Sequence, residues 1–410
     1  MPEAPQARSA AGATTAPQAH ILLALIVGQV CLHSCMTGVR LAAPLQVLRE
    51  GHAEWAVGVL LGLFAVAPMV IAFPAGRHAD RRGYHAPMRL SILLTMAGGA
   101  LAVGSTWFEA AQFAMLCACA VLSGAGATYG MISIQRTAGR SATGSTELKR
   151  VFSWLGIAPA ISNVVGPVLA GVMMDWAGLR WAYLVLALIP LLGLYCARWV
   201  PKEPRRPDAA PQAKPNSWDL LRVPGVRRLL FVNLLLSTCW DVHAFVVPIL
   251  GHERQFSASS IGLILGAFAA AVTLVRLLIP VLAHRLPEAK VLVIAMLCTG
   301  LVLGVYPLVQ TAWLMGLCAV LLGLALGTVQ PMILSTLHQL TPKQRHGEAI
   351  ALRTMTIGLA SAAMPLLFGV AGAAVGAASL FWATGAVVAL GSTQARAVGR
   401  VVTRADSIRT

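Results

Sequence analysis

The chain has 410 residues, 57% of them hydrophobic and only 11% charged. Soluble domains carry roughly 25% charged residues, so this composition excludes a soluble globular fold and predicts an integral membrane protein. The formal net charge of +16 sits in short loops and tails between apolar runs, a positive-inside distribution that excludes a nucleic-acid footprint. Arg40 and Arg276 fall within the predicted spans, and Arg49, Arg180 and Arg254 mark the far side. All eight cysteines lie in apolar runs without a Cys-x-x-Cys pair. That pattern predicts neither a disulfide framework nor a metal site, and no cofactor is expected.

Residues 1–19 are rich in Ala, Pro, Gln and Thr and are predicted to be a disordered cytoplasmic N-terminus. Runs of membrane-crossing length then follow at 20–47, 54–75, 88–107, 110–136, 149–174 and 179–199. After a Pro-rich, mixed-charge linker over 200–226 come 227–250, 258–282, 289–309, 312–337, 347–372 and 376–395. Each is expected to be a helix, because a backbone in hydrocarbon must satisfy its own hydrogen bonds. An even number of spans puts both termini on one side. The basic tail over 396–410, with Arg396, Arg400, Arg404 and Arg409, assigns that side to the cytoplasm of an inner membrane.

Span 1 carries Gln29, His33, Thr37 and Arg40 on one helical face. A polar stripe facing lipid is costly, so the stripe is expected to face a cavity or a partner helix. Between spans 2 and 3, Gly76 to Arg89 forms the most charged short segment of the chain, with Asp80 between Arg77 and Arg81. Gly76 is expected to let two helix ends approach closely, and Gly83 to take a positive φ. Gly76, Asp80, Arg81 and Gly83 resemble the Gly-x-x-x-Asp-Arg-x-Gly loop of the major facilitator superfamily, with Tyr84 and His85 where a basic residue usually stands. That resemblance implies a gating role for the loop.

Span 4 contains Ser123-Gly124-Ala125-Gly126, with Ala120 where the family's helix-4 motif has an arginine often tied to proton coupling. Proton coupling is therefore expected to fall elsewhere, on His33 or Asp241. In span 5, Asn163, Gly166, Pro167 and Gly171 resemble the Gly-Pro helix of the family's efflux branches. The glycines permit close approach and the proline bends the helix.

The two halves repeat at a constant offset of 204 residues, which pairs Gly58 and Gly62 with Gly262 and Gly266, and Pro44 with Pro248. The same offset lays Asn233, Ser237 and Asp241 of span 7 on Gln29, His33 and Thr37 of span 1. Such parallel repeats place a substrate site between the halves near mid-membrane. Arg276 in span 8 is a further candidate, and Asn163 and Gln330 are candidate lining residues. Arg40 and Asp241 are expected to approach each other across the cleft. Glu147, Lys149 and Arg150 before span 5, and Lys343, Arg345, Glu348 and Arg353 around span 11, are expected to form ion pairs at the cytoplasmic surface.

The expected fold is all-α and membrane-embedded, with twelve transmembrane helices in two pseudo-symmetric six-helix halves. The chain resembles the major facilitator superfamily over nearly its whole length. The resemblance implies a monomeric secondary transporter in the lipid bilayer, exporting a small organic molecule by proton antiport. Basic groups outnumber acids in the stripes, which points toward an anionic or zwitterionic substrate. An uptake symporter of the same fold and a non-transporting receptor or scaffold are the alternatives. No His-Glu-x-x-His, Gly-x-Ser-x-Gly or Walker loop is present, so an enzyme is not expected.

Overall fold

The computed structural model describes residues 16–141, 151, 154–202, 217–282, 287–341 and 346–409. Six long helices form the first half: α1 (Ala16–Arg49), α2 (Glu54–Arg82), α3 (His85–Gly104), α4 (Gln112–Ser141), α5 (Ile157–Trp176) and α6 (Leu179–Cys196). Six more form the second: α7 (Pro224–Glu253), α8 (Ala258–Leu282), α9 (Glu288–Val305), α10 (Ala312–Leu340), α11 (His346–Val375) and α12 (Ala377–Arg409). Eleven of these are long and apolar enough to cross a membrane. In α12 the apolar run is diluted by Thr384, Ser392, Thr393 and Gln394.

Within each half the helices pack side by side, α1 against α5 and α6, α3 against α4, α8 against α10, and α9 against α12. Pro44 and Pro248, paired by the repeat, lie inside α1 and α7. Much of the linker, and the counterpart of the charged segment around 283–286, lie outside the described residues. So do Glu147, Lys149 and Arg150 before α5, and Lys343 and Arg345 before α11.

The segment read as a loop between spans 2 and 3 is mostly helix. Gly76 to Arg82 continue α2, and only Gly83 and Tyr84 separate it from α3. Gly83 ends α2 at φ 69°, with its N–H bonded to Ala79 O at 2.9 Å, as the sequence led one to expect. Gly76 behaves differently: a Cβ placed there would meet nothing within 4 Å. The expected close approach is missing because α2 leans away from the other half at this end. Tyr84 is buried against α1, where its hydroxyl lies beside Gly28.

The halves meet along two seams, α2 with α11 and α5 with α8. Both seams are tight at the end of the molecule opposite the termini, and the repeat glycines make them so. A Cβ on Gly58 would lie 2.4 Å from Pro365 O, and one on Gly262 would lie 2.4 Å from Pro167 O. Each repeat glycine therefore rests on the carbonyl of a helix proline in the opposite half. One turn along, Gly62 meets Leu366 and Gly266 meets Val168. Small residues let membrane helices approach until their backbones touch.

Polar contacts reinforce this closed end. The Asp175 carboxylate of α5 accepts the N–H groups of Ala258 at 3.0 Å and Ser259 at 2.6 Å, capping α8, and also accepts the Ser259 hydroxyl. Arg49 approaches the same carboxylate at 4.0 Å. An acid at a helix N-terminus meets both free donors and the positive end of the helix dipole.

Toward the termini the same faces separate. On α2, Val66 and Met69 continue the face of Gly58 and Gly62 but are exposed. On α11, Met355 is exposed and a Cβ on Gly358 would meet nothing within 4 Å. The molecule is thus closed at one end and splayed at the end bearing the termini.

Candidate functional site

The splayed halves leave a central cavity of about 320 Å³. Its framework is α7 and α11, which run side by side in the same direction. Asn233 Oδ1 accepts a hydrogen bond from Arg353 Nε at 3.1 Å. Two turns deeper, Asp241 Oδ2 accepts one from the Ser361 hydroxyl at 3.2 Å. Both pairs are 120 residues apart in sequence, so they are successive rungs of one ladder. Ser237 and Ile357 line the wall between them. At ~1.5 Å per helical residue the two rungs stand about 12 Å apart along the axis.

The other walls come from both halves. Arg40 of α1 and Asn163 of α5 face α7 across the cleft, Trp240 supplies an aromatic surface, and Gln330 of α10 and Arg276 of α8 complete the lining. A neighbouring space of about 70 Å³ continues from Arg40 and Asn163 past Thr37 and Pro167 to His243 and Phe268.

The charges are unbalanced. Among the described residues, Arg40, Arg276 and Arg353 line the cavity against a single carboxylate, Asp241. Arg40 and Asp241, one from each half, line the same cavity, and no ion pair joins them among the described residues. Arg40 Nε is buried with no hydrogen-bond partner among the described residues. Arg353 is 7% exposed and, among the described residues, its side chain bonds to the neutral Asn233 amide, so the expectation of an ion pair at the surface is corrected: it is a buried cavity residue. Single-sequence reading missed this because Arg353 follows a basic loop, and only the ladder with Asn233 turns it inward.

The rest of the α1 stripe packs. Thr37 donates to Ser162 O at 2.9 Å, binding α1 to α5. Gly166 makes that contact possible, since a Cβ there would lie 2.0 Å from Thr37 Oγ1 and 2.6 Å from Ser34 O. Gly171 packs the other way, onto the backbone of Ala258 in the second half. The Gly-Pro helix is therefore a spacer between α1 and α8, with Asn163 left facing the cavity. Gln29 is buried with Oε1 unpartnered, and His33 is half-buried; neither lines the two cavities described. His243 stacks on Phe268 at 4.4 Å and reaches the Tyr306 hydroxyl at 3.2 Å, a packing role. The side chain of Asp80 lies outside the described residues, while Arg81 has an interaction partner at the end of α2. No group of three or more metal-ligating side chains occurs among the described residues.

Two six-helix halves, seams made by α2 with α11 and α5 with α8, and a polar cavity between them define a membrane transporter fold. The sequence model of the Major Facilitator Superfamily matches residues 25–240 and 229–404, and the chain belongs to that family. Among characterised relatives, it is 24% identical over 329 residues to the multi-drug resistance efflux pump PmrA homolog of Lactococcus lactis subsp. lactis, covering 77% of this chain and 78% of that one. It is 27% identical over 266 residues to the efflux pump azaK of Aspergillus niger, covering 59% and 54%. Among solved structures, it resembles a bacterial homolog of the human lysosomal transporter Spinster in an inward-facing, unoccupied conformation. That likeness has a TM-score of 0.74 at 12% identity over 96% of this chain and 99% of that one. A D-xylose-proton symporter matches with a TM-score of 0.73 at 13% identity over 92% and 96%. At such identities these structures support the fold alone.

Proposed function

We propose that this protein exports a small organic molecule by alternating access, with protons moving in the opposite direction. The observation that carries the reading is the central cavity, sealed at the far end by the two glycine seams and open toward the termini. With the termini in the cytoplasm of an inner membrane, as the basic tail argues, this is the state that loads substrate from inside the cell. The names of the two sequence relatives support export over uptake. Rocking of the halves about the cavity then opens the far seams and closes the near end.

Asp241 is the group proposed to exchange proton for substrate. Among the described residues it is the single carboxylate lining the cavity, and protonating it changes both its hydrogen bond to Ser361 and its attraction for Arg40. Arg40 and Asp241 come from different halves, so a change in that attraction acts on the angle between the halves. Such a pair serves as a switch more than as a stabiliser, because desolvation offsets much of the attraction. Asp80 and Arg81 at the end of α2 are proposed to help close the near end.

The test is flux. Everted membrane vesicles containing the protein are expected to accumulate substrate when acidified inside, and untargeted comparison of metabolites in and around expressing cells supplies candidates. Accumulation inside intact cells, in place of depletion, would overturn export and favour the uptake symporter. Absence of gradient-dependent movement for any molecule that binds would overturn transport.

A further inference from the structure

We infer that the end of the cavity nearest the termini is an oxyanion subsite, and that the transported molecule is an organic acid with a carboxylate-type group. The inference rests on the reading of the central cavity as the transport site. Arg276 on α8 and Arg353 on α11 both line this end and lie close enough to repel each other. No acid pairs with either among the described residues. Two like charges held together beside a cavity are costly unless something negative comes between them. Arg353 is buried and held by Asn233 through Nε alone, which leaves its two terminal nitrogens for a ligand. A guanidinium edge of this kind matches a carboxylate in a two-bond fork. Arg276 is exposed at the open end, where it meets an incoming anion first.

The remainder of the cavity sets the rest of the molecule. Trp240, Leu236, Val329 and Ile357 offer an aromatic and aliphatic wall between the rungs. At the deep end, Asp241 accepts from Ser361 and can accept from a hydroxyl or ammonium of the substrate. A proton and that donor group cannot both occupy the same carboxylate oxygen, which is the competition that exchange requires. A cavity of about 320 Å³ admits a compact molecule with an acid group at one end.

The test uses the purified full-length protein and three probes sharing one ring system: 1-naphthaleneacetate, 1-naphthalenemethylammonium and 1-naphthaleneethanol. Equilibrium binding is measured for each. The carboxylate is expected to bind tightest. Arg353→Gln and Arg276→Gln are each expected to weaken it about tenfold or more, as loss of a charge-assisted contact does, and to leave the alcohol unchanged. Arg353→Lys keeps the charge and is expected to retain part of the affinity, which separates loss of the subsite from loss of fold. An ammonium that binds tighter than the carboxylate, a carboxylate affinity indifferent to both Gln variants, or no saturable binding of any probe would each overturn the subsite. Flux in proteoliposomes separates this inference from the transport reading beneath it. Arginine-dependent binding without gradient-driven movement leaves the subsite standing and removes transport. Gradient-driven movement of the ammonium alone does the reverse.

Discussion

Helices α1 and α7 are repeat mates with the same polar register, yet their stripes meet different surroundings. In α1, Thr37 lies against α5 and bonds to the Ser162 carbonyl, because Gly38, Gly166 and Ser162 let the two backbones close up. In α7, its mate Asp241 reaches Ser361 of α11 by a side chain, and Asn233 reaches Arg353 in the same way. Polar side chains link α7 and α11 beside a cavity of about 320 Å³, while α1 and α5 border only the smaller space of about 70 Å³. Pseudo-symmetry thus supplies two equivalent helix pairs, and side-chain volume decides which becomes packing and which becomes a site.

The largest effect should come from reversing that difference in volume. Gly166→Val drives a branched side chain into the backbone of α1, and overpacking of this kind costs about 1–3 kcal/mol or more. Gly358→Val on α11 meets open space and should change stability far less. Thermal unfolding and size-exclusion profiles of the two purified variants check this, and equal damage from both would remove the comparison.

Next in size is the effect on transport of the mated pair. Asp241→Asn should lower gradient-driven flux about tenfold or more and flatten its pH dependence, since a carboxylate in an intramembrane cavity is a functional group by default. Thr37→Val removes a packing hydrogen bond, so it should cost about 1 kcal/mol of stability and keep the pH profile of the parent. A Thr37 variant that shifts the profile while Asp241→Asn does not would reverse the assignment.

At the closed end the glycine contacts of the two seams match, and variants there sharpen the contrast with the cavity. Gly58→Ala and Gly262→Ala each place a methyl 2.4 Å from a proline carbonyl of the other half. Both should bias the protein by a similar amount toward the state open at the far end. The readout is the labelling rate of a cysteine at position 259, in a background without the native cysteines, using a membrane-impermeant maleimide. Similar increases support symmetric seams; an increase in one variant only would show that one seam carries the closure.

The smallest effect is expected at Asp175. Its carboxylate caps α8 and faces Arg49, but it is partly exposed, and exposed charge contacts contribute little. Asp175→Asn should raise the same labelling rate modestly, less than either glycine variant. A larger rise would make the cap, and not the glycine seam, the principal latch.

The sequence by itself determined the membrane class, the helix count, the repeat and its offset. Hydrophobic length and spacing are local properties that a lipid solvent enforces directly. It also marked Arg40, Asn163, Asn233, Asp241 and Arg276, because polar groups in apolar runs are expensive enough to stand out. Which of the marked residues share a cavity was settled only by tertiary packing. Gln29, His33 and Thr37 carry the same signal as their mates, but the small residues of α5 draw α1 inward. Arg353 carries no such signal, because it stands near a basic loop where a surface arginine is the ordinary expectation. It became a cavity residue through Asn233, a partner 120 positions away that no local pattern reveals. The turn at Gly83 was legible, since a positive φ favours glycine. The idle surface of Gly76 was not, because it depends on the angle between the halves, and that angle belongs to the whole molecule in one of its states.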